Sequence, residues 1–166
     1  YQQVVKTGFF PNGSGVVFDN DGKIVTNYHV IKEAYKNNQK LIIELNNGEI
    51  NEAVILGFSE ISDIAVIQTI NNSNLKPLKI KKNIDNLRVG EQVIAIGNPQ
   101  GLGKSFSMGI VSAINRQFKN VNGSFIQTDA SINPGNSGGA LIDREGNLIG
   151  ITTVSYTHLR AHETAM

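Results

Sequence analysis

The chain has 166 residues, 40% hydrophobic and 17% charged, which is enough for one packed domain or for two small barrels sharing an interface. A net charge of +1 gives no reason to expect nucleic acid or an anionic membrane as a partner, and no apolar run is long enough to span a bilayer. The lack of cysteine excludes disulfides, thiolate metal sites and cysteine catalysis, and leaves the compartment open.

Taken in chain order, the elements are short and β-rich. No signal peptide is recognisable at Tyr1, so a leader would have to have been removed or left out. Gly15 to Phe18 and Lys23 to Thr26 flank the turn Asp19-Asn20-Asp21-Gly22 and predict a hairpin. Residues from His29 to Lys36 predict a helical turn or two. Leu41 to Leu45 and Glu49 to Gly57 flank Asn46-Asn47-Gly48 as a second hairpin, and Ile64 to Ile67 reads as a buried strand. Residues 69–90 are polar, rich in Asn and Lys, and contain Pro77, so they predict a connection between two halves. Gln92 to Ile96 and Phe106 to Ile114 are further strands, with Gly109 expected as a bulge. Phe125 to Thr128 and Ala140 to Ile142 are extended, and the turn Glu145-Gly146-Asn147 leads into Leu148 to Val154. Many short strands at this spacing predict an all-β barrel or sandwich.

The last stretch, Ser155 to Met166, differs. It lacks the Asn, Ile and Lys used heavily before it, and holds two of the three histidines. We read it as a non-native tail that resembles translated adapter or vector sequence.

The chemistry concentrates in Pro134-Gly135-Asn136-Ser137-Gly138-Gly139. Glycines around a serine permit a sharp turn, let a substrate approach closely and free backbone N–H groups to face an anion. A serine hydroxyl becomes a competent nucleophile when an imidazole takes its proton and a carboxylate fixes that imidazole's tautomer. His29 follows a strand and Asp63 precedes one, so each stands at the end of an element. The order His29, Asp63, Ser137 is one of the known orders of such a triad. Singly, each residue is better explained as a structural histidine, a turn aspartate or a flexible loop. Together, in this order, they point to chemistry.

Three decoys match weaker patterns. Gly135-x-Ser137-x-Gly139 with Asp143 and His158 imitates the strand–turn–helix elbow of another hydrolase class, but strand-like residues follow Ser137. Gly97 to Ser105 imitates a phosphate-binding loop, but Asn98 stands where a glycine is required and a strand follows. His158 and His162 have a metal-compatible spacing without a third ligand, so no metal and no cofactor is expected.

Gly13-Ser14-Gly15-Val16-Val17, Thr26-Asn27-Tyr28-His29-Val30, Ser62-Asp63-Ile64-Ala65-Val66, Gly97-Asn98-Pro99-Gln100-Gly101-Leu102 and the run from Thr128 to Gly139 together resemble the HtrA/DegP family of trypsin-like serine proteases. The resemblance covers residues 13–154. It implies an all-β, chymotrypsin/trypsin-like double β-barrel in one protease domain over residues 1–154, with a first barrel at about 1–70 and a second at about 90–154. It implies an ATP-independent endopeptidase of protein quality control and stress response, located outside the cytoplasm in the periplasm or cell envelope, with a membrane anchor possible in a full-length parent. Its partners would be unfolded or misfolded polypeptides, not nucleic acid, and the native parent would be a homotrimer, with Tyr1, Phe9 and Phe10 available for that contact or for packing on the first barrel. By position, His29 would be the general base, Asp63 its orienting carboxylate, Ser137 the nucleophile, and the Gly135 and Ser137 N–H groups the oxyanion hole. Ser131-Ile132-Asn133 would line the substrate pocket. It carries no acidic residue, which fits the family's small or medium aliphatic preference and gives no support to a basic one.

The chain departs from the family where Ser155 to Met166 replaces the closing strands, so an incomplete second barrel with unpaired edges is expected, and no PDZ domain is expected in these 166 residues. The expectation that follows is poor stability or inactivity despite a complete triad. The competing reading is a non-catalytic, chaperone-like polypeptide-binding scaffold, or an inactive truncated fragment.

Overall fold

A computed structural model of the chain describes residues 2–7, 10–71, 75–98, 103–118, 121–154 and 163–165. Short strands with alternating buried and half-exposed residues curl into two rings. The first contains β1 (Gln2–Thr7), β2 (Phe10–Val17), β3 (Lys23–Thr26), β4 (Leu41–Glu44), β5 (Ile50–Ser59) and β6 (Ile64–Thr69), hydrogen-bonded in the order β1-β2-β3-β6-β5-β4. Helix α1 (Tyr28–Lys36) follows β3 and turns Tyr28, Val30, Ile31 and Ala34 inward. These join Ile24, Leu41, Ile43 and Ile67 in the first core.

The second ring contains β7 (Gln92–Gly97), β8 (Ser105–Phe118), β9 (Val121–Thr128), β10 (Ala140–Asp143), β11 (Leu148–Thr153) and β12 (Glu163–Ala165), in the order β10-β11-β12-β9-β8-β7. Its core gathers Leu87, Val93, Val111, Ile126, Ile132 and Leu141. A third cluster, with Val16 from β2 against Ala140, Leu148 and Ile151, fills the seam between the rings. The expected double barrel is therefore present.

The expected incompleteness of the second barrel takes the form of a single short closing strand. The backbone of β12 pairs with β11 from Ile151↔Ala165 to Thr153↔Glu163 and with β9 from Glu163↔Gln127 to Ala165↔Phe125. The open edges expected beside β11 and β9 are paired over this span, because ladder hydrogen bonds use the backbone and place little demand on side-chain identity. The bridge is three residues long, against six in β11 and eight in β9, so closure is thin.

Two smaller expectations are corrected. Gly109 is not a bulge: β7 and β8 stay in register from Gln92↔Ile110 to Gly97↔Ser105, and the register shifts fall later, between β8 and β9. A Cβ at Gly109 would overlap the Ala130 nitrogen and an Asp129 carboxylate oxygen, so close packing explains the glycine. Strand β1 has no counterpart in the sequence reading. The polar connection, in turn, is pinned to both rings: Leu78 N–H donates to the Val17 carbonyl (3.1 Å), and Lys81 N–H to the Leu148 carbonyl (3.0 Å).

Candidate active site

His29 is the second residue of α1, and Asp63 ends the β5–β6 turn in a left-handed conformation (φ +50°). Asn27, at the start of the helix, makes no side-chain cap; its Nδ2 instead donates to the Asp63 carbonyl at 2.9 Å. Tyr28 N–H donates to the same carbonyl at 3.1 Å. These bonds hold the turn against the helix start and aim the carboxylate. Asp63 Oδ1 accepts from the His29 backbone N–H (2.9 Å), and Oδ2 lies 2.7 Å from His29 Nδ1. An ionised carboxylate only accepts, so Nδ1 carries the proton and Nε2 is left as the acceptor. Oδ2 also accepts from the Thr153 hydroxyl at 3.3 Å, which brings the end of β11 to the first-barrel pair. The imidazole remains 42% exposed and therefore reachable from solvent.

Ser137 lies in the loop between β9 and β10, buried in the seam. Its carbonyl accepts from Ser14 N–H (2.8 Å) and its hydroxyl oxygen accepts from Val154 N–H (3.1 Å). Thr153 thus touches Asp63 while its neighbour Val154 touches Ser137. A Cβ at Gly13 would lie 2.6 Å from Val30, the residue after His29, and 2.8 Å from the Ser137 carbonyl. The histidine–aspartate pair and the serine loop meet across this seam. Among the described residues, the hydrogen bond at Ser137 Oγ is the one from Val154, and no hydrogen bond joins it to His29.

The loop around Ser137 is fixed through its carbonyls. Ser14 Oγ donates to the Gly135 carbonyl (2.8 Å) and accepts from Asn98 N–H (2.9 Å). Thr152 Oγ1 donates to the Asn136 carbonyl at 2.6 Å. Gly138 has φ +83°, and a Cβ there would overlap the Ser14 carbonyl oxygen and Thr26 Oγ1. Only glycine meets both conditions. Among the described residues the N–H groups of Gly135 (φ +96°) and Ser137 have no hydrogen-bond partner. Two unpaired donors beside a serine are what an oxyanion requires.

Of the expected pocket segment, Ser131 and Asn133 are exposed, while Ile132 is buried in the second core. The Ser131 carbonyl accepts from Ser107 Oγ (2.6 Å), and the Asn133 carbonyl from Asn136 N–H (2.9 Å). The sequence reading passed over Thr152, Thr153 and the hydroxyl of Ser14. No pattern could have flagged the two threonines, which look like ordinary β-branched strand residues.

The decoys resolve physically. Strand β10 follows Ser137, and Asp143 is committed elsewhere, to Lys81 Nζ at 3.0 Å and to the Asn147 backbone N–H at 2.8 Å. Burial pushes the Asp143 carboxyl upward, but its bonds from Asn147 and Lys81 outweigh that and hold it below the usual range. Ser105 opens strand β8, so no helix N-terminus follows the glycine run. His158, His162, Tyr1 and Phe9 lie outside the described residues, as does the side chain of Phe10.

A family model described as the trypsin-like peptidase domain matches residues 13–151. The chain is 48% identical over 151 residues to a probable serine protease do-like of Buchnera aphidicola subsp. Acyrthosiphon pisum (strain APS), covering 89% of this chain and 30% of that protein. It is 49% identical over 144 residues to the periplasmic pH-dependent serine endoprotease DegQ of Escherichia coli (strain K12), covering 85% of this chain and 30% of that protein. The chain thus spans about a third of the length of these relatives. Among solved structures it superimposes on the HtrA-type protease AlgW with decapeptide at a TM-score of 0.83 and 31% identity, covering 99% of this chain and 59% of that one.

Proposed function

Because the chain belongs to the trypsin-like peptidase domain family, on its HtrA-type branch, we propose that it carries the catalytic site of an ATP-independent serine endopeptidase acting on misfolded or exposed polypeptide. The observation that carries this reading is the 2.7 Å contact of His29 Nδ1 with Asp63 Oδ2, which leaves Nε2 free to act as a base. In the proposed cycle Nε2 takes the Ser137 hydroxyl proton as Oγ attacks a peptide carbonyl. Asp63 balances the imidazolium, and the Gly135 and Ser137 N–H groups receive the oxyanion. The imidazolium then protonates the departing amine, and water repeats the sequence on the acyl-enzyme. Hydrolysis of a peptide is downhill and requires no nucleotide. The segment Ser131-Ile132-Asn133, without an acidic side chain, supports an uncharged P1 residue of small or medium size. The relatives named periplasmic support a setting outside the cytoplasm, and trimeric assembly follows from the family reading.

A second reading has one observation in its favour. The Val154 N–H bond to Ser137 Oγ describes a nucleophile not yet engaged by its base, as a latent enzyme or a polypeptide-binding scaffold would have. A fluorophosphonate probe with a Ser137→Ala control separates the two. The expectation of inactivity rested on open edges beside β11 and β9, and because β12 pairs these edges, strong Ser137-dependent labelling with Ser137-dependent cleavage of casein is the expected result. No labelling, together with suppression of client aggregation that survives Ser137→Ala, would replace the protease with the scaffold.

A further inference from the structure

Thr152 applies all three of its polar groups to the loop that carries Ser137. Its N–H donates to the Gly139 carbonyl (2.9 Å), its carbonyl accepts from Gly138 N–H (2.8 Å), and its hydroxyl donates to the Asn136 carbonyl at 2.6 Å. The residue is fully buried, and the bond is short for a hydroxyl on a carbonyl. Resting on the protease reading above, the geometry points to Thr152 as the positioning residue that aims the Ser137 N–H donor of the oxyanion hole.

The argument is stereochemical. The Asn136 carbonyl and the Ser137 N–H belong to one planar peptide unit, and in a trans peptide they point in opposite directions. Whatever fixes the carbonyl therefore fixes the N–H. Thr152 Oγ1 draws the carbonyl toward β11, so the N–H faces away from β11, and among the described residues it meets no acceptor there. Asn136 itself cannot swing the unit, because its side chain is buried and its Oδ1 accepts from Ser105 Oγ at 3.2 Å. On the other side of Asn136, the Gly135 carbonyl is held by Ser14. The two flanking peptide planes are thus tied to the barrels by hydroxyls from different rings, the Asn136 carbonyl also accepting from Gly139 N–H (2.9 Å) within the loop. Without the Thr152 hydroxyl, the Asn136 carbonyl keeps the Gly139 N–H (2.9 Å), a turn bond within the loop itself, but loses its one bond from outside the loop, and rotation of that peptide would carry the Ser137 N–H out of line.

The test compares wild type with Thr152→Val, of nearly equal shape but without the hydroxyl, and Thr152→Ser, which restores it. Substrate is a valine p-nitroanilide peptide, and the transition-state mimic is the boronate of the same peptide. Thr152→Val is expected to lose about 10- to 100-fold in kcat with KM little changed, since an oxyanion donor acts in the transition state. Boronate affinity should fall by the same factor, and Thr152→Ser should recover most of both. Unchanged kcat in Thr152→Val, a loss confined to KM, or failure of Thr152→Ser to rescue would overturn the inference. Should Thr152→Val not fold, Thr152→Cys, with a weak donor of similar size, carries the same comparison. Fluorophosphonate labelling of the wild type runs alongside: labelled wild type with unaffected Thr152→Val sinks this inference alone, whereas unlabelled wild type sinks the protease reading and this inference together.

Discussion

The two barrels build their halves of the site by different physics. In the first, a charge does the organising: the Asp63 carboxylate accepts from the His29 N–H and Nδ1, and its turn is pinned by Asn27 and Tyr28. That pair is partly open to solvent, with side chains 42% and 29% exposed. In the second, Ser137 is buried and the run from Ala130 to Gly139 that carries it has no charged residue. It is held by hydroxyl-to-carbonyl bonds from Ser14 and Thr152 and by glycine backbones that no other residue could adopt. In the proposed cycle the first half is a proton-transfer pair, which needs a strong, directional electrostatic partner, and the second an anion cradle, which needs fixed peptide planes. The comparison predicts that first-half variants lose rate while keeping the fold, and that second-half variants lose fold and rate together.

Asp63→Asn is the sharpest test of the charged half. The amide can donate to His29 Nδ1, reversing the tautomer and leaving Nε2 protonated. A loss of about 10⁴-fold in kcat is expected, with an unfolding midpoint close to wild type. Peptide hydrolysis and thermal melts on the same preparation check it, and a large drop in melting temperature would break the contrast.

Gly138→Ala is the corresponding test of the neutral half. Its φ of +83° strains any side chain, and the added carbon overlaps the Ser14 carbonyl, which lies in the strand framework and cannot swing aside. A loss of roughly 2–4 kcal/mol in urea unfolding is expected, together with loss of fluorophosphonate labelling.

Beside the second barrel a partly buried ion pair, Lys81 with Asp143 at 3.0 Å, ties the inter-barrel connection to the β10–β11 turn and not to the site. Lys81→Met should lower stability by about 1–3 kcal/mol, because the Asp143 carboxylate stays buried with fewer partners. The fraction that remains folded should keep its kcat. The pH dependence has a definite sign. The Asp143 carboxyl lies below its ordinary value of 3.8, so its contribution is present above that pH and fades as pH falls through the lowered value. Lys81 is raised above 10.5, chiefly by its hydrogen bond to Asp143, so its contribution is present below 10.5 and fades as pH rises through the raised value. Urea midpoints of wild type and Lys81→Met should therefore differ most across the neutral range and converge at both extremes.

The two halves also differed in how far they could be read from sequence. Strand β3 and the pairing of short apolar runs followed from alternation and turn residues, because local chemistry decides them. His29, Asp63 and the serine loop stood out because their residue types and order are unusual. Ser14 and Thr152 were opaque for a physical reason: a hydroxyl on a distant carbonyl depends on a contact 121 residues apart in one case and 16 in the other, and leaves no periodicity. The thin closure by β12 was opaque because backbone pairing needs no particular side chains. Gly109 misled because a glycine in a strand serves a bulge and a close approach equally well.

Thr153 stands where the two mechanisms meet, and it carries the smallest expected effect. Its hydroxyl, on a second-barrel strand, donates to the first-barrel carboxylate at 3.3 Å, a long bond to an oxygen that already has His29 at 2.7 Å. Thr153→Val leaves that stronger contact and the His29 N–H bond to Oδ1 intact. Only the alignment conferred by the third donor is lost, worth about 1 kcal/mol, or roughly fivefold in kcat. The double variant with Asp63→Asn decides whether the effect travels through the carboxylate. If it does, Thr153→Val costs nothing further once the charge is gone, and the coupling equals the single-variant loss. If the two losses simply multiply, Thr153 acts on the neighbouring Val154 and Ser137 instead, and it belongs with the neutral half of the site.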